Sequence, residues 1–408
     1  MMIRTSTSRC RRVRESGRAG FTLIELLMVV IVIGILIGLL LPVIAGALRT
    51  ARNAAVQAEI NQLAQALANF KNTFGDYPPS RVLLVENGNY GQFINSTQPV
   101  HTIDTNASPN DTTVGVLAQR SLTAMRKFFP KVVFSTSGVP PQITPTFWYD
   151  FNGNGKVDAG YVLHGHECLV FFLGGVPFMD PSTGSFGMTG FGKDPVNPFT
   201  NSLASDPNFA NHQNPMYSAN RQSPSFEFVP SRLFLDPSNP TTPGIPGYYD
   251  SLGASDPNST VGSALNYYVY FSSYGNGGYD PNDVNFLTEA DANTTSPIWL
   301  QFFTTTSQNY RLSPAPNPYT TSTTVTVNNT VTYEKAQTFQ IFSPGVDGLY
   351  GVGGQFVAPG SVNSTASTAL PIDASHTYSG SPAALATDTT IRDRERDNLT
   401  NFQQGKLQ

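Results

Sequence analysis

The sequence predicts an α+β protein in which one long N-terminal helix packs on a small antiparallel β-sheet carrying large loop-rich insertions. Three observations predict it. An apolar run from Phe21 to Leu41 continues without a break into a helical pattern that ends near Phe74. The later segments rich in Val, Tyr, Phe and Thr are short, and clusters of Asn, Pro, Gly and Ser separate them. Only 13% of the 408 residues are charged, about half the usual share, while the hydrophobic share is 39% and there are 35 Gly and 31 Pro. Uncharged polar and turn residues make up the difference. That composition excludes a helical bundle and a charged disordered chain, and it fits an exported surface.

The first twenty residues form the leader of this organisation. They hold six Arg (Arg4, Arg9, Arg11, Arg12, Arg14, Arg18) against Glu15 alone, a net charge of +5. Removing them from the 24 basic and 28 acidic residues leaves 18 against 27, a net −9 for the remainder. A body of that charge has no electrostatic footprint for nucleic acid, which is not expected as a main partner.

Residues 21–44 follow as a membrane helix. The 21 residues from Phe21 to Leu41 would give roughly 30 Å of helix, enough to cross a bilayer core. Arg before and apolar residues after place the N-terminus in the cytoplasm and the chain beyond Pro42 outside. A secretory signal peptide would have a shorter apolar core and a small-residue cleavage site after it. A plain anchor leaves Glu25 unexplained. An ionised carboxylate in a membrane segment costs about 2.5–3.5 kcal/mol on insertion scales, and no Lys or Arg lies in the run to pair with it.

Gly20 followed by Phe21-Thr22-Leu23-Ile24-Glu25-Leu26 resembles the class III signal of type IV pilins and type II secretion pseudopilins. The resemblance implies that a prepilin peptidase cuts between Gly20 and Phe21 and methylates Phe21. Glu25 then becomes the fifth residue of the mature chain. Its carboxylate is implied to pair with the α-amino group of Phe21 in a neighbouring subunit and so to set the stagger of a filament. Gly34 and Pro42 are implied to bracket a stretch of helix that can melt during assembly. Read from the residues alone, Gly34 and Gly38 simply allow a close helix contact in the membrane.

From Ala45 the pattern becomes amphipathic. Leu48, Ala51, Ala55, Ile60, Leu63, Leu67, Phe70 and Phe74 recur at spacings of three to five, with Arg49, Arg52, Gln57, Glu59, Asn61, Gln65 and Lys71 in between. Gly75-Asp76-Tyr77-Pro78-Pro79 ends the helix by turn and proline logic. Residues 45–79 thus form the amphipathic part of a pilin-like domain, and the run 70–79 also resembles the helix exit of major pseudopilins.

Residues 80–335 read as a loop-rich inserted globular region. Leu117 to Phe129 is expected to be a helix, and Glu167 to Leu173 an apolar segment of either type. Val132–Phe134, Ala264–Ser272, Ile298–Phe303, Thr323–Thr332 and Thr338–Phe342 are expected strands. The aromatic stripe Tyr267, Tyr268, Tyr270, Phe271, Tyr274 and Tyr279 is expected to be mostly core. No fixed-period repeat is evident, which argues against a solenoid. Residues 353–388 read as a long Ser, Thr, Ala and Gly-rich loop.

Two places carry candidate calcium chemistry. Asp150, Asn152, Asn154, Gly155 and Asp158 fit the first part of a calcium loop, with oxygens at positions one, three, five and nine around a Gly turn and the Lys156 carbonyl available. Position twelve, where a bidentate Glu closes an EF-hand, is Tyr161; Glu167 is a candidate from farther on. The alternative is an Asn-Gly hairpin turn. At the C-terminus, residues 336–408, Gly345-Val346-Asp347-Gly348 and the later Asp397-Asn398-Leu399-Thr400-Asn401-Phe402 resemble the tail motifs of major type II secretion pseudopilins. There the resemblance implies a calcium site using Asp347, Asp397 and Asn398, with Leu349 or backbone carbonyls contributing. The departure is the long insert between the two motifs.

The remaining signals carry little chemistry. His164-Gly-His166-Glu167-Cys168 lacks a second cluster to complete four metal ligands, and the two His are expected to be polar edge residues. Cys168 has no paired His signature, Cys10 leaves with the leader, and Gly190 to Lys193 is no phosphate loop. No enzyme is expected. The expected protein is a filament subunit partnered by prepilin peptidase, other pilin subunits, an inner-membrane assembly platform and the membrane itself. The rival readings are a surface pilus subunit for adhesion or DNA uptake and a helix-anchored, calcium-dependent envelope protein that does not polymerise.

Overall fold

The computed structural model describes residues 22–96, 114–137, 148–155, 157–158, 160–179, 186–200, 219–234, 245–252, 267–274, 278–280, 283–284, 298–300, 318–321, 332–346, 350, 353 and 396–407. The chain divides into two compact units, Met1–Ala51 and Arg52–Gln408. Helix α1 spans Leu23–Phe74, 52 residues, and runs through Pro42.

In the first unit the apolar side chains of α1 are exposed, from Leu23 at 84% to Ile33 at 48%. Among the described residues α1 is the one helix long and apolar enough to cross a membrane. Ile, Val and Leu all round a helix call for an apolar surround, whether lipid or other helices. A Cβ added at Gly34 or Gly38 would meet nothing in the single chain.

In the second unit α1 is amphipathic. Val56, Ile60, Leu63, Ala66, Leu67 and Phe70 are buried, a spacing that keeps one 3.6-residue stripe. Leu48, Ala51 and Ala55 are exposed, contrary to the expected stripe. Counting back four from Ile60 reaches Val56, so Ala55 falls off the stripe. Gly75 ends the helix as expected: its φ is +84°, and its N–H donates to the Lys71 carbonyl at 2.7 Å. Asp76 then accepts from the Tyr77 N–H at 2.9 Å and pairs with Lys127 at 2.6 Å.

Three more α-helices, a short 3-10 helix (Pro230–Arg232) and ten strands follow among the described residues: α2 (Gly91–Ile94), α3 (Val114–Phe128), α4 (Gly165–Gly174), β1 (Val82–Val85), β2 (Gly160–Leu163), β3 (Pro177–Met179), β4 (Phe186–Met188), β5 (Leu233–Phe234), β6 (Gly247–Tyr248), β7 (Val269–Ser272), β8 (Ile298–Leu300), β9 (Phe339–Ser343) and β10 (Leu399–Thr400). Helix α3 presents Leu117, Ala118, Leu122, Met125 and Phe128 inward, and Phe129 is buried just beyond it. The segment of undecided type from Glu167 is helix α4. Every residue of it is buried, which is why it shows apolar residues all round and no period. The rings of Phe70, Phe128 and Phe172 meet edge-to-face at 5.3–5.8 Å and join α1, α3 and α4.

Two three-stranded sheets have the orders β1-β2-β8 and β10-β9-β7, and β3-β4 and β5-β6 are hairpin pairs. Leu83 faces Val162 antiparallel, whereas β8 runs parallel to β2. In the second sheet Val269 faces Phe342, and Leu399 faces Ser343. The Gln57 side chain donates to the Thr400 carbonyl at 3.0 Å and ties α1 to β10. The expected strand at Val132–Phe134 is absent. Those residues follow a turn at the end of α3, and Ser135 makes only an isolated bridge to Asn89. Of the expected strand from Ala264, residues 264–266 lie outside the described residues and Val269–Ser272 forms β7; of the expected strand from Ile298, Ile298–Leu300 forms β8 and 301–303 lie outside them. Thr323–Val331 and nearly all of 353–388 lie outside the described residues. The aromatic stripe is core as expected: Tyr267, Tyr268, Tyr270, Phe271 and Tyr279 are buried.

Glu59, expected on the polar face of α1, is the centre of a clamp. Arg232 grips it with both terminal nitrogens at 2.8 and 2.6 Å. Tyr248 donates to it at 2.9 Å, and the Tyr268 hydroxyl donates to its other oxygen. The Arg232 guanidinium lies 4.3 Å over the Tyr248 ring. Removing one side of a bidentate, mostly buried pair strands the other charge. Glu59→Ala and Arg232→Ala are each expected to destabilise the second unit by about 2–4 kcal/mol in denaturant unfolding, and the double variant by less than the sum. Additive losses would mean the two groups act independently.

Candidate functional site: the N-terminal signal and the oxygen-lined turns

Gly20 and Phe21 lie outside the described residues. Next to them, Thr22 and Glu25 form a capping box. Glu25 Oε2 accepts from the Thr22 N–H at 2.8 Å and from the Thr22 hydroxyl at 2.9 Å, and the Glu25 N–H donates to Thr22 Oγ1 at 3.3 Å. The carboxylate that lacks a cation in the sequence therefore has local donors, at the end of α1 where the helix dipole favours negative charge. The Thr-x-x-Glu spacing was the available signal for this cap.

The turn from Asp150 brings its four expected residues together. The Gly155 N–H donates to Asp150 Oδ2 at 3.0 Å, and the Asn154 N–H to Asn152 Oδ1 at 3.0 Å. The side-chain nitrogens of Asn152 and Asn154 both reach Asp158 Oδ2 at 2.8 Å. Gly153 has φ +69°, and a Cβ there would collide with the Pro177 carbonyl oxygen. Sequence reasoning missed Glu86, just beyond β1. It accepts from the Asp158 N–H at 2.6 Å and from the Tyr161 hydroxyl at 3.2 Å. Burial pushes the Glu86 carboxyl well up, and the charges of Asp150 and Asp158 add to that. Burial pushes Asp150 up to about 7, opposed by the Gly155 N–H. Glu167 is not part of this turn. It caps α4, where its Oε2 accepts from the His164 N–H at 2.8 Å.

At the C-terminus Asp347 lies outside the described residues. Asp397 Oδ2 accepts from the Val346 N–H at 2.7 Å, so the two motifs meet although 51 residues separate these positions. Gly345 has φ +73°, and a Cβ there would strike the Asp397 backbone. Asn398 is buried and donates to the Tyr319 hydroxyl and to the Tyr350 carbonyl, each at 3.0 Å. Asn401 bonds one edge of β9 twice, accepting from the Ile341 N–H at 2.9 Å and donating to the Phe339 carbonyl at 3.1 Å.

His164 and His166 are not polar edge residues: both are buried. Burial lowers the His164 pKa well below its usual value, with Arg81 and His166 adding, and burial alone lowers His166 to about 3. Cys168 is buried with its Sγ 3.6 Å from the Leu163 carbonyl, and burial raises its thiol. Asp283 is buried nearby. It accepts from Ser80, from Tyr274 at 2.6 Å and from Arg120 at 3.4 Å. Among the described residues no three His, Cys, Asp or Glu side chains are gathered as a metal-ligating group.

Residues 16–41 match the prokaryotic N-terminal methylation motif. This stretch holds the end of the Arg-rich segment, Gly20, Phe21, Glu25 and the first 19 residues of α1. Neither a curated protein nor a solved structure matches the chain. The motif is a type IV pilin-like prepilin signal. It implies processing by a prepilin peptidase and pilin-type assembly, and together with α1 it marks a membrane-anchored, single-pass chain.

The buried acids predict an unusual pH response. Burial and the charge of Asp280 push Asp283 up to about 7, against Arg120 and its hydroxyl donors. A carboxyl raised in the folded state holds a proton that the unfolded chain has already lost. Its contribution to stability is thus present at low pH and declines as pH rises from the unfolded value, about 4, through about 7. Compared with wild type, Asp283→Asn should show a smaller loss of melting temperature between pH 5 and pH 8. Parallel melting curves for the two proteins would refute the assignment.

Proposed function

We propose that the protein is a structural subunit of a pilus-like filament, nearest in kind to a major type II secretion pseudopilin and without catalytic activity of its own. One observation carries the reading: the methylation motif at residues 16–41 is continuous with a helix whose apolar side chains are exposed. In the proposed path the chain sits in the bacterial inner membrane with its N-terminus in the cytoplasm and residues beyond Pro42 in the periplasm. Prepilin peptidase cuts between Gly20 and Phe21 and methylates the new amine. The exposed apolar flank of α1, from Leu23 to Ile44, then passes from lipid to neighbouring helices as an assembly platform adds the subunit.

Glu25 has two roles in this scheme. Before cleavage it caps its own helix through Thr22. After cleavage the Phe21 amine of a neighbouring subunit offers it a cation. A buried ion pair of this kind contributes registry more than stability. Gly34 and Pro42 keep their proposed place as the limits of a softer stretch, since Pro42 leaves a carbonyl of α1 without its usual donor. The C-terminal turn, with Asp397 against the Gly345 corner, supports a calcium ion held there by Asp347, Asp397 and Asn398. The buried Asn398 oxygen, which has no hydrogen-bond partner, agrees with that ligand set.

Glu25→Ala is expected to leave membrane insertion intact and to abolish incorporation into sheared filaments. Gly20→Ala is expected to leave an uncleaved precursor of higher mass. Normal assembly of the Glu25→Ala chain would remove the filament role and leave an anchored envelope protein.

A further inference from the structure

Helix α1 carries a second regularly spaced face that its own chain leaves uncovered. Ala55, Ala58, Gln62, Gln65 and Asn69 recur at alternating intervals of three and four, and each is exposed. Leu48 and Ala51 extend the same alternation in the sequence and are exposed as well. The buried stripe from Val56 to Phe70 uses other positions of the helix. Alternation of three and four is a 3.5-residue period, the seam along which one helix takes another beside it. Alanine on such a seam lets the neighbour come close. Unpaired charge lies nearby. Arg52 is exposed, and its guanidinium has no hydrogen bond or ion pair among the described residues. The exposed Glu227 carboxylate has none either. Glu227 stands on the wall of an open groove of about 670 Å³ beside the seam. Gln62, Gln65 and Asn69 form one side of it, and Phe226, Glu227 and Val229 the other. Phe226 is half-buried and Val229 is exposed, so the far wall is apolar around its one acid.

We infer that this groove receives the α1 seam of a second copy of the chain, with Arg52 of that copy against Glu227 of the first. Both halves of the contact are on the same chain: a slender helix face edged by a free guanidinium, and a groove with a free carboxylate on its wall. The two surfaces differ, so the contact is head-to-tail and continues from copy to copy instead of closing a pair. Parallel helices follow from a shared membrane orientation. The groove is centred about twelve residues beyond Arg52 on α1, which makes the offset between copies roughly 18 Å. At that offset Ala55 and Ala58 of the neighbour come level with the stretch 65–69, so short side chains oppose long ones. Glu59 also lines the groove, but Arg232 already holds it at 2.6 Å, which leaves Glu227 as the acid open to a partner. The inference rests on the filament reading and names a joining surface beyond the apolar flank.

The test uses full-length chains in the producing bacterium, with sheared filaments collected and weighed against wild type. Chains carrying Arg52→Cys and chains carrying Glu227→Cys are expressed together and treated with a short bismaleimide crosslinker. A crosslinked dimer should form with the mixture and with neither chain alone; the native Cys168 is buried and should not react. Arg52→Glu and Glu227→Arg should each cut filament yield on the order of tenfold, because like charges then face each other. The double variant Arg52→Glu with Glu227→Arg should restore it. Glu227→Arg should melt as wild type does, since its carboxylate has no partner in its own chain, and that separates a lost contact from a lost fold. Wild-type filaments without the mixed crosslink, and with full yield from both single reversals, would overturn the docking and leave the filament reading standing. Failure of the double variant to recover would overturn the Arg52–Glu227 pairing. A crosslink from Glu227→Cys to a different protein alone would overturn the second copy as occupant. Absence of filaments from wild type itself would sink the filament reading, and the docking with it.

Discussion

The apolar stripe Val56–Phe70 on the second half of α1 is the constraint around which the globular unit is arranged. Six buried side chains on one face of a helix need a continuous partner surface, and three chain-distant segments supply it. Phe128 of α3 and Phe172 of α4 close on Phe70, while β10 is held at Gln57. Hydrophobic burial is non-directional, so the stripe alone does not choose a rotation of the helix about its axis. Glu59 does. Its two oxygens are matched to a planar guanidinium and two phenols, and such a set fits in one orientation.

Tyrosine takes the role that ion pairs play on more charged proteins. Tyr90 donates to the Leu83 carbonyl at 2.9 Å, Tyr270 to Pro78 at 2.6 Å, Tyr279 to Lys335 at 2.6 Å and Tyr350 to Tyr267 at 2.7 Å. Each ring adds apolar area to the core, and each hydroxyl satisfies a backbone carbonyl. The composition, rich in turns and poor in charge, is workable for this reason. The few acids that remain are partly spent inside, at Glu86, Asp150 and Asp283, where their placement is a commitment and not a solvation device.

Legibility followed the range of the physics. The membrane run, the cap at Gly75, helix α3 and the strands at Phe339 and Val269 rest on local patterns, and the structure has them. The misplaced strand at Val132 and the undecided segment at Glu167 are short runs whose type depends on what covers them. Buried on every side, α4 leaves no period to read. His164 and His166 look like edge residues in sequence because nothing local reveals that Tyr267 and Arg81 lie against them.

The sequence by itself determined the prepilin-type start, the two-natured helix and the Asn-Gly and Gly-Asp turns, because each is carried by residues within a few positions of one another. The tertiary structure alone decided the long-range partners of the acids. Glu86 meets Asp158 across 72 positions, Glu59 meets Arg232 across 173, and Asp397 meets Val346 across 51. A carboxylate finds its partner through the folding of the whole core, and no spacing along the chain records that distance. Glu25 is the contrast: its cap through Thr22 lies three positions away and is written in the spacing Thr-x-x-Glu.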